Sequence, residues 1–376
     1  MSLENVVVFN ALQTSLSGGI GRYCYELSKA MYLNKNDIDL KIVIRSQDLD
    51  KYNFVDRKDL IVINNINSGK DRNFFEQFKL PKMIFKMFPK AIIHYPDTMA
   101  PIMSKNKVII TMHDMAFKTL EDEFSTKTKI WKNFITKKSV KKADKIVAIT
   151  KFTKSEIEKY YPETTDKISV VYNGFNDFSK EEINIENIKK SILDIKGKYI
   201  LSVNTITPRK NIGGIINAFN IIKDKTDAKL IIAGKEGWKS KEILSLIDKY
   251  DIEDRVLVIG KINDDELKYL YENASLYIYI SFYEGFGLSP LEAMSFGVPT
   301  IVSNVTSIPE VVGDRAIKVN PNNIEEIANQ MYRVLEDEKY LVEIKKNIYK
   351  SYINFSWENC AKETIYLYKS LFNIKI

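Results

Sequence analysis

Residues 275–299 read SLYIYISFYEGFGLSPLEAMSFGVP. The apolar run SLYIYI (275–280) stops at a loop holding two glycines and a glutamate. Ser289-Pro290-Leu291-Glu292 then has the pattern of a helix start, with Ser at N-cap, Pro at N1 and Glu at N3. Gly297 and Pro299 stop that helix. A continuous apolar strand, a glycine loop and a helix in direct succession form one half of a βαβ unit. Such a strand is covered on both faces, as in a parallel sheet.

The same pattern recurs along the chain. Strands are expected at 5–10, 40–45, 59–64, 91–95, 108–112, 145–150 and 168–173, and again at 199–204, 228–234, 255–260, 275–280, 299–304 and 316–320. Amphipathic stretches separate them. Two such series in 376 residues imply two doubly wound α/β domains, since a chain this long exceeds one ordinary core. The weakest patterning, 174–197, marks the link between them. Residues 355–372 read as a final amphipathic helix, and no short-period repeat is present.

With 45% hydrophobic and 28% charged residues, the composition is that of a soluble globular protein. The two cysteines, Cys24 and Cys360, offer neither a disulfide framework nor metal spacing, so a reducing cytoplasm is expected. No basic leader with an apolar core opens the chain, and no uncharged apolar run of about 18 residues exists. The net charge of +7 is uneven: residues 1–174 carry 29 Lys+Arg and 20 Asp+Glu, the rest 27 and 29. The basic excess lies wholly in the first half and suits an anionic partner there.

In doubly wound sheets, ligands sit at the carboxyl ends of strands, so candidate residues should directly follow apolar runs. Glu284 does, between aromatics and the pair Gly285 and Gly287, which permit close backbone approach. It is a site carboxylate or a solvated loop acid. The amides from Gly287 to Leu291 leave a helix N-terminus and suit a phosphate. Glu292 is half of a capping box, a ligand-binding acid, or both. NTITPRKNIGG (204–214) repeats the pattern, with Arg209 and Lys210 just before a helix capped by Asn211. Adjacent cations there oppose the helix dipole unless an anion joins them, which favours a diphosphate; two exposed bases in a lysine-rich protein are the alternative. SLSGGIGRYCYEL (15–27) places Gly18, Gly19 and Gly21 after the first strand, without the G-x-G-x-x-G spacing. His113-Asp114 ends another strand, as does His94. No Ser/His/Asp, HExxH or CxxC arrangement appears, so hydrolase and zinc chemistry have little support.

In this order the elements resemble the retaining glycosyltransferases of family 4, which have the two-domain GT-B fold. They are GGIGRY, MHD (112–114), VVYNGF (170–175), TPRKN, AGKEGW (233–238), E-x7-E in EGFGLSPLE, SNVTSIPEVVGD (303–314) and Trp357 opening the last helix. The resemblance covers nearly the whole chain. It departs at Ser289, where a second proline is common, and in AMSFG, where AMACG is usual. It implies two Rossmann-like parallel-sheet domains facing across a cleft: an acceptor domain at 1–174, a nucleotide-sugar domain at 175–355, and a helix at 356–376 crossing back to the first. Arg209 and Lys210 match the pair that grips the donor diphosphate, and Glu292 the acid that binds ribose. Glu284 matches the acid near the donor sugar, with the amides of Gly285, Phe286, Gly287 and Leu288 beside sugar and phosphate. His113 is placed close to the reacting sugar and Gly18 and Gly19 near the diphosphate. The implied donor is a nucleoside diphosphate sugar used as co-substrate, with no other cofactor and no metal in the site; NDDEL (263–267) reads as a helix start rather than a metal motif. SFYEGFGL tilts the resemblance to a subgroup handling mannose or rhamnose for surface polysaccharides, with a glycan or lipid-linked acceptor. A GT-B sugar-nucleotide epimerase and a non-catalytic sugar-nucleotide binding subunit are the rival readings.

KTKIWKNFITKKSVKKADK (127–145) holds eight lysines and one acid. Ile130, Trp131, Phe134 and Ile135 are expected on one helical face and the lysines largely on the other. Either the apolar face packs on its own sheet under a solvated outer face, or the surface from Lys127 to Lys145 meets anionic lipid headgroups at the inner face of a membrane. Nucleic acid is not expected, because no recognition motif accompanies the lysines.

Overall fold

The structure, a computed structural model, describes residues 5–14, 19–35, 38–120, 126–348 and 355–372. It contains two compact units. The first runs to Gly174 and includes the C-terminal helix Trp357–Phe372, and the second spans Phe175–Tyr352.

The first unit is built on seven parallel strands: β1 (Val6–Asn10), β2 (Asp39–Arg45), β3 (Leu60–Ile63), β4 (Ile92–Tyr95), β5 (Lys107–Met112), β6 (Lys145–Ala148) and β7 (Ile168–Val170), in the order β3-β2-β1-β4-β5-β6-β7. Each of the strand positions expected from apolar runs is occupied. Alternation explains the runs: Val6 and Val8 of β1 enter the core on one face, Val7 and Phe9 that on the other. A strand buried on both faces has no reason to alternate with polar residues.

Helix Trp357–Phe372 lies on the second of these faces through Cys360, Ala361, Ile365, Leu367 and Tyr368. Its Tyr368 hydroxyl meets Nδ1 of the fully buried His94 at 2.6 Å, and His94 Nε2 meets Thr111 Oγ1 at 2.8 Å. His94 is therefore a core histidine, and burial drives its pKa down to about 3. Where the helix begins, Gly174 approaches Trp357 so closely that a Cβ would overlap its backbone and ring.

The second unit holds six parallel strands: β8 (Tyr199–Val203), β9 (Lys229–Ala233), β10 (Val256–Gly260), β11 (Leu276–Tyr279), β12 (Thr300–Ser303) and β13 (Ile317–Val319), in the order β10-β9-β8-β11-β12-β13. Helix Asp264–Asn273 starts in a capping box of Asn263 and Glu266, in agreement with the reading of NDDEL as a helix start. Helix Ile212–Ile222 starts at Asn211, whose side chain accepts from the Gly214 amide, as expected.

The lysine-rich helix, Thr126–Lys142, corrects one expectation. Ile130 (66% exposed), Trp131 (48%) and Phe134 (51%) face outward, and only Ile135 of that set is buried. The buried strip is Ile135, Thr136, Ser139, Val140 and Ala143. Ser139 qualifies for it because its hydroxyl donates to the Ile135 carbonyl and accepts from the Ala100 amide. Lys137, Lys138 and Lys141 share the outward face with the three apolar residues. Among the described residues, no helix is long and apolar enough to cross a membrane.

Candidate active site

Strand order reverses direction between β1 and β4 in the first sheet and between β8 and β11 in the second. Loops leaving adjacent strands on either side of such a point diverge and open a crevice. In the second unit these are the loops after β8, which carries Arg209 and Lys210, and after β11, which carries Glu284.

The two loops are tied together. Phe282 N donates to Arg209 O at 2.9 Å, and Arg209 Nη1 donates to Tyr283 O at 2.8 Å. Lys210 Nζ reaches Glu284 Oε1 at 2.5 Å and the Tyr279 hydroxyl at 3.1 Å, and Arg209 Nη1 lies 3.4 Å from Glu284 Oε2. All three side chains are mostly shielded from solvent. Burial alone would raise the Glu284 pKa, but Lys210 and Arg209 outweigh it and hold the carboxyl below its ordinary value. Glu284 is thus an ionised, oriented carboxylate, and the trio sums to one positive charge. Such a group can hold hydroxyls on one side and offset anionic charge on the other.

Two residues that the sequence reading did not single out fix the Glu284 loop. Thr306 Oγ1 accepts from the Glu284 amide at 3.2 Å, and Ser307 Oγ donates to the Glu284 carbonyl at 2.9 Å. Thr306 has φ 60°, a left-handed conformation that costs a β-branched residue energy and is held only by its surroundings. The signal was present in SNVTS, a hydroxyl-rich turn directly after a strand.

The helix beyond Glu284 starts earlier than expected. It runs Leu288–Ser295 with Gly287 at N-cap and no side-chain cap, so Ser289 and Glu292 form no capping box. Gly287 makes the early start possible: its φ is 97°, and a Cβ there would sit 2.5 Å from Ile308 Cδ1. The free amides therefore begin at Leu288, beside Gly285 and Phe286. Glu292 falls a full turn inside, 2% exposed, with the Tyr271 hydroxyl 3.4 Å from Oε2. The capping reading of Glu292 is withdrawn.

In the first unit, His113 follows β5. Its Nε2 lies 2.9 Å from the Pro96 carbonyl, and Tyr23 packs edge-on at 4.7 Å between centroids. A carbonyl only accepts, so Nε2 carries the proton and Nδ1 keeps its lone pair. Burial lowers the imidazole pKa, against the opposing pull of the Pro96 carbonyl, Asp97 and Asp114. His113 is a neutral acceptor. Gly19 opens helix Gly19–Leu33, and Gly18 lies outside the described residues. Among the described residues, no group of three or more His, Cys, Asp or Glu side chains is placed to hold a metal ion.

Similarity to known proteins agrees with this layout. Residues 17–177 match the family described as Glycosyltransferase Family 4, and residues 184–351 that described as Glycosyl transferases group 1. The chain is 30% identical over 374 residues to the O-antigen chain mannosyltransferase B of Escherichia coli, covering 94% of this chain and 96% of the relative. Among solved structures, sucrose-phosphate synthase from Thermosynechococcus elongatus superposes with a TM-score of 0.74 at 19% identity, over 99% of this chain and all of that one. The Anabaena protein HepE, in complex with UDP and glucose, gives 0.73 at 16% identity, over 97% of this chain and all of that one. These two likenesses establish the shared fold.

Proposed function

This chain belongs to glycosyltransferase family 4, and we propose that it transfers mannose, or a closely similar hexose, from a nucleoside diphosphate sugar to a glycan or lipid-linked acceptor in surface polysaccharide synthesis. Transfer proceeds with retention at the anomeric carbon and needs no metal in the chemical step. The observation that carries this reading is the convergence of Arg209, Lys210 and Glu284 at the strand-order reversal of the second unit. The relationship to an O-antigen mannosyltransferase over nearly the full length supports the choice of sugar. Neither an epimerase nor a silent binding subunit is favoured.

In this reaction the bond from the anomeric carbon to the phosphate oxygen breaks, and its electron pair leaves with the diphosphate. Arg209, Lys210 and the amides opening at Leu288 stabilise that charge. Glu284 positions donor hydroxyls and favours the positive charge on the ring. Glu292 binds the ribose. The acceptor hydroxyl attacks the same face of the sugar, and its proton passes to the departing phosphate oxygen. The first unit binds the acceptor, and His113 contributes its Nδ1 lone pair to a sugar hydroxyl.

The enzyme works in the cytoplasm and is held at the inner membrane face by the outward side of helix Thr126–Lys142. Ile130, Trp131 and Phe134 enter the headgroup boundary, and Lys137, Lys138 and Lys141 meet anionic lipid. The function is tested by incubating the purified chain with GDP-mannose and with UDP- and dTDP-hexoses and measuring released nucleoside diphosphate. Turnover of a mannose donor is expected, and no release from any donor would overturn the reading.

A further inference from the structure

GGIGRY ends on Tyr23, which lies buried in helix Gly19–Leu33. Its ring stands nearly perpendicular to that of His113, at 87° and 4.7 Å between centroids, and the ring of Trp357 lies 6.1 Å away. At such distances aromatic rings hold one another's orientation. His113 needs that wall. Its Nε2 is fixed by the Pro96 carbonyl, but Nε2 lies near the Cβ–Cγ axis about which the ring turns, and histidine rotation about that bond is broad. A modest turn therefore keeps the Pro96 bond while Nδ1, farther from the axis, swings out of line.

The tyrosine is itself tethered. Its hydroxyl meets Thr111 Oγ1 at 3.0 Å, Thr111 Oγ1 meets His94 Nε2 at 2.8 Å, His94 Nδ1 meets the Tyr368 hydroxyl at 2.6 Å, and that hydroxyl donates to Met31 Sδ at 3.5 Å. All five residues are buried. A hydroxyl has one proton to give, and so has a neutral imidazole. Among the contacts of the described residues, one assignment gives every one of these protons an acceptor: Tyr23 donates to Thr111, Thr111 to His94 Nε2, His94 Nδ1 to Tyr368, and Tyr368 to Met31. The reverse direction leaves the Tyr23 proton without an acceptor, a cost that buried polar groups rarely bear. Thr111 stands two residues before His113, so the segment that carries the histidine also holds the tyrosine against it.

We propose that Tyr23 is a positioning residue for His113: its ring, anchored by the hydroxyl bond to Thr111, fixes the imidazole plane and so aims Nδ1. This rests on the glycosyltransferase reading, in which His113 Nδ1 accepts from a sugar hydroxyl. Tyr23 acts through His113 and not on the sugar itself.

The test joins kinetics with a spectroscopic readout. The chain has two histidines, so nitrogen-15 labelling of histidine gives a spectrum of two rings, which His113→Ala assigns. Near neutral pH, His113 should show one neutral form with its proton on Nε2. Tyr23→Leu should shift and broaden those signals, and Tyr23→Phe, which keeps the ring, should change them little. In steady-state kinetics Tyr23→Leu should lower kcat about tenfold or more with the donor KM within about twofold, and Tyr23→Phe should lower kcat about threefold. In the His113→Ala background, Tyr23→Leu should cost nothing further. Thermal melts check that each variant is folded. Should Tyr23→Leu fail to fold, Thr111→Val, which removes the anchor and keeps the side chain's shape, takes its place, with a loss that again vanishes in the His113→Ala background. Unchanged His113 signals and kcat in a folded variant, or an equal loss in both backgrounds, would overturn the proposal. Failure of the donor screen with His113 signals that still respond to Tyr23→Leu would overturn the glycosyltransferase reading and leave Tyr23 as the residue that holds the ring.

Discussion

Lys210 Nζ and Glu284 Oε1 stand 2.5 Å apart, although 74 residues separate them in the chain. The pair joins the loops of β8 and β11, and each partner has a different task in the proposed reaction. Glu284→Gln should lower kcat roughly 10²-fold or more, because the charge that acts as the sugar becomes cationic is gone. Lys210→Gln leaves Glu284 beside Arg209 alone and should lower kcat while also raising the donor KM. The double variant should lose less than the product of the two single losses, since each single change already strands its partner. Near-normal kcat in Glu284→Gln would remove it from the reacting centre.

Glu292 should behave differently. It sits inside its helix and caps nothing, so Glu292→Gln should leave the melting temperature without donor almost unchanged. Donor binding should weaken by about 1–3 kcal/mol, the range for losing a charged hydrogen bond. The measurement is the donor-induced rise in melting temperature, compared between wild type and variant.

Glu76 gives the first unit a defined pH response. Burial lifts its pKa from 4.5 to about 7, with Arg72 and Asn10 pulling down and Asp97 adding to the rise. The folded state therefore holds this proton more tightly than the unfolded chain does. Its contribution is fully present below about pH 4.5 and is lost as pH climbs through about 7, a change on the order of 3 kcal/mol. Glu284, with its pKa lowered, contributes in the opposite sense and loses stability as pH falls. Urea unfolding at pH 5 and pH 8 should show a smaller drop for Glu76→Gln than for wild type.

The outward face of helix Thr126–Lys142 predicts a mixed membrane response. Binding to anionic vesicles should weaken in high salt without vanishing, because lysines and apolar side chains both contribute; each lysine is worth about 1 kcal/mol at most. Changing Ile130, Trp131 and Phe134 to serine should abolish the salt-resistant part. Changing Lys137, Lys138 and Lys141 to glutamate should abolish the salt-sensitive part. Co-sedimentation indifferent to both sets would leave the face without a role at lipid.

Chelation should not stop the reaction. With Arg209 and Lys210 meeting the leaving diphosphate, turnover in excess EDTA should match turnover in magnesium. A strict magnesium or manganese requirement would contradict the proposed charge balance.

The strands were legible because both sheet faces are covered, so burial alone wrote the apolar runs. Asn211 was legible because its cap is a local event. Two features were not, and each depends on what lies elsewhere in space. The early helix start at Gly287 depends on the approach of Ile308, and the sequence offered Ser289 as a plain local alternative. The outward turn of Trp131 and Phe134 depends on Ser139 being satisfied by Ala100, which lets a polar residue take the inner face.

Helix Trp357–Phe372 completes the core of the first unit but is made after the whole of Phe175–Tyr352. On the ribosome, the unit translated second is therefore the first to have all its parts. The earlier one emerges with the sheet face around Phe9, Ile92 and Ile109 covered by helix Gly19–Leu33 but lacking the C-terminal helix, and with His94 without its tyrosine partner. Nascent chains stalled short of residue 357 should consequently expose a protease-sensitive N-terminal half and be natural clients for holdase chaperones, while their second half is already resistant.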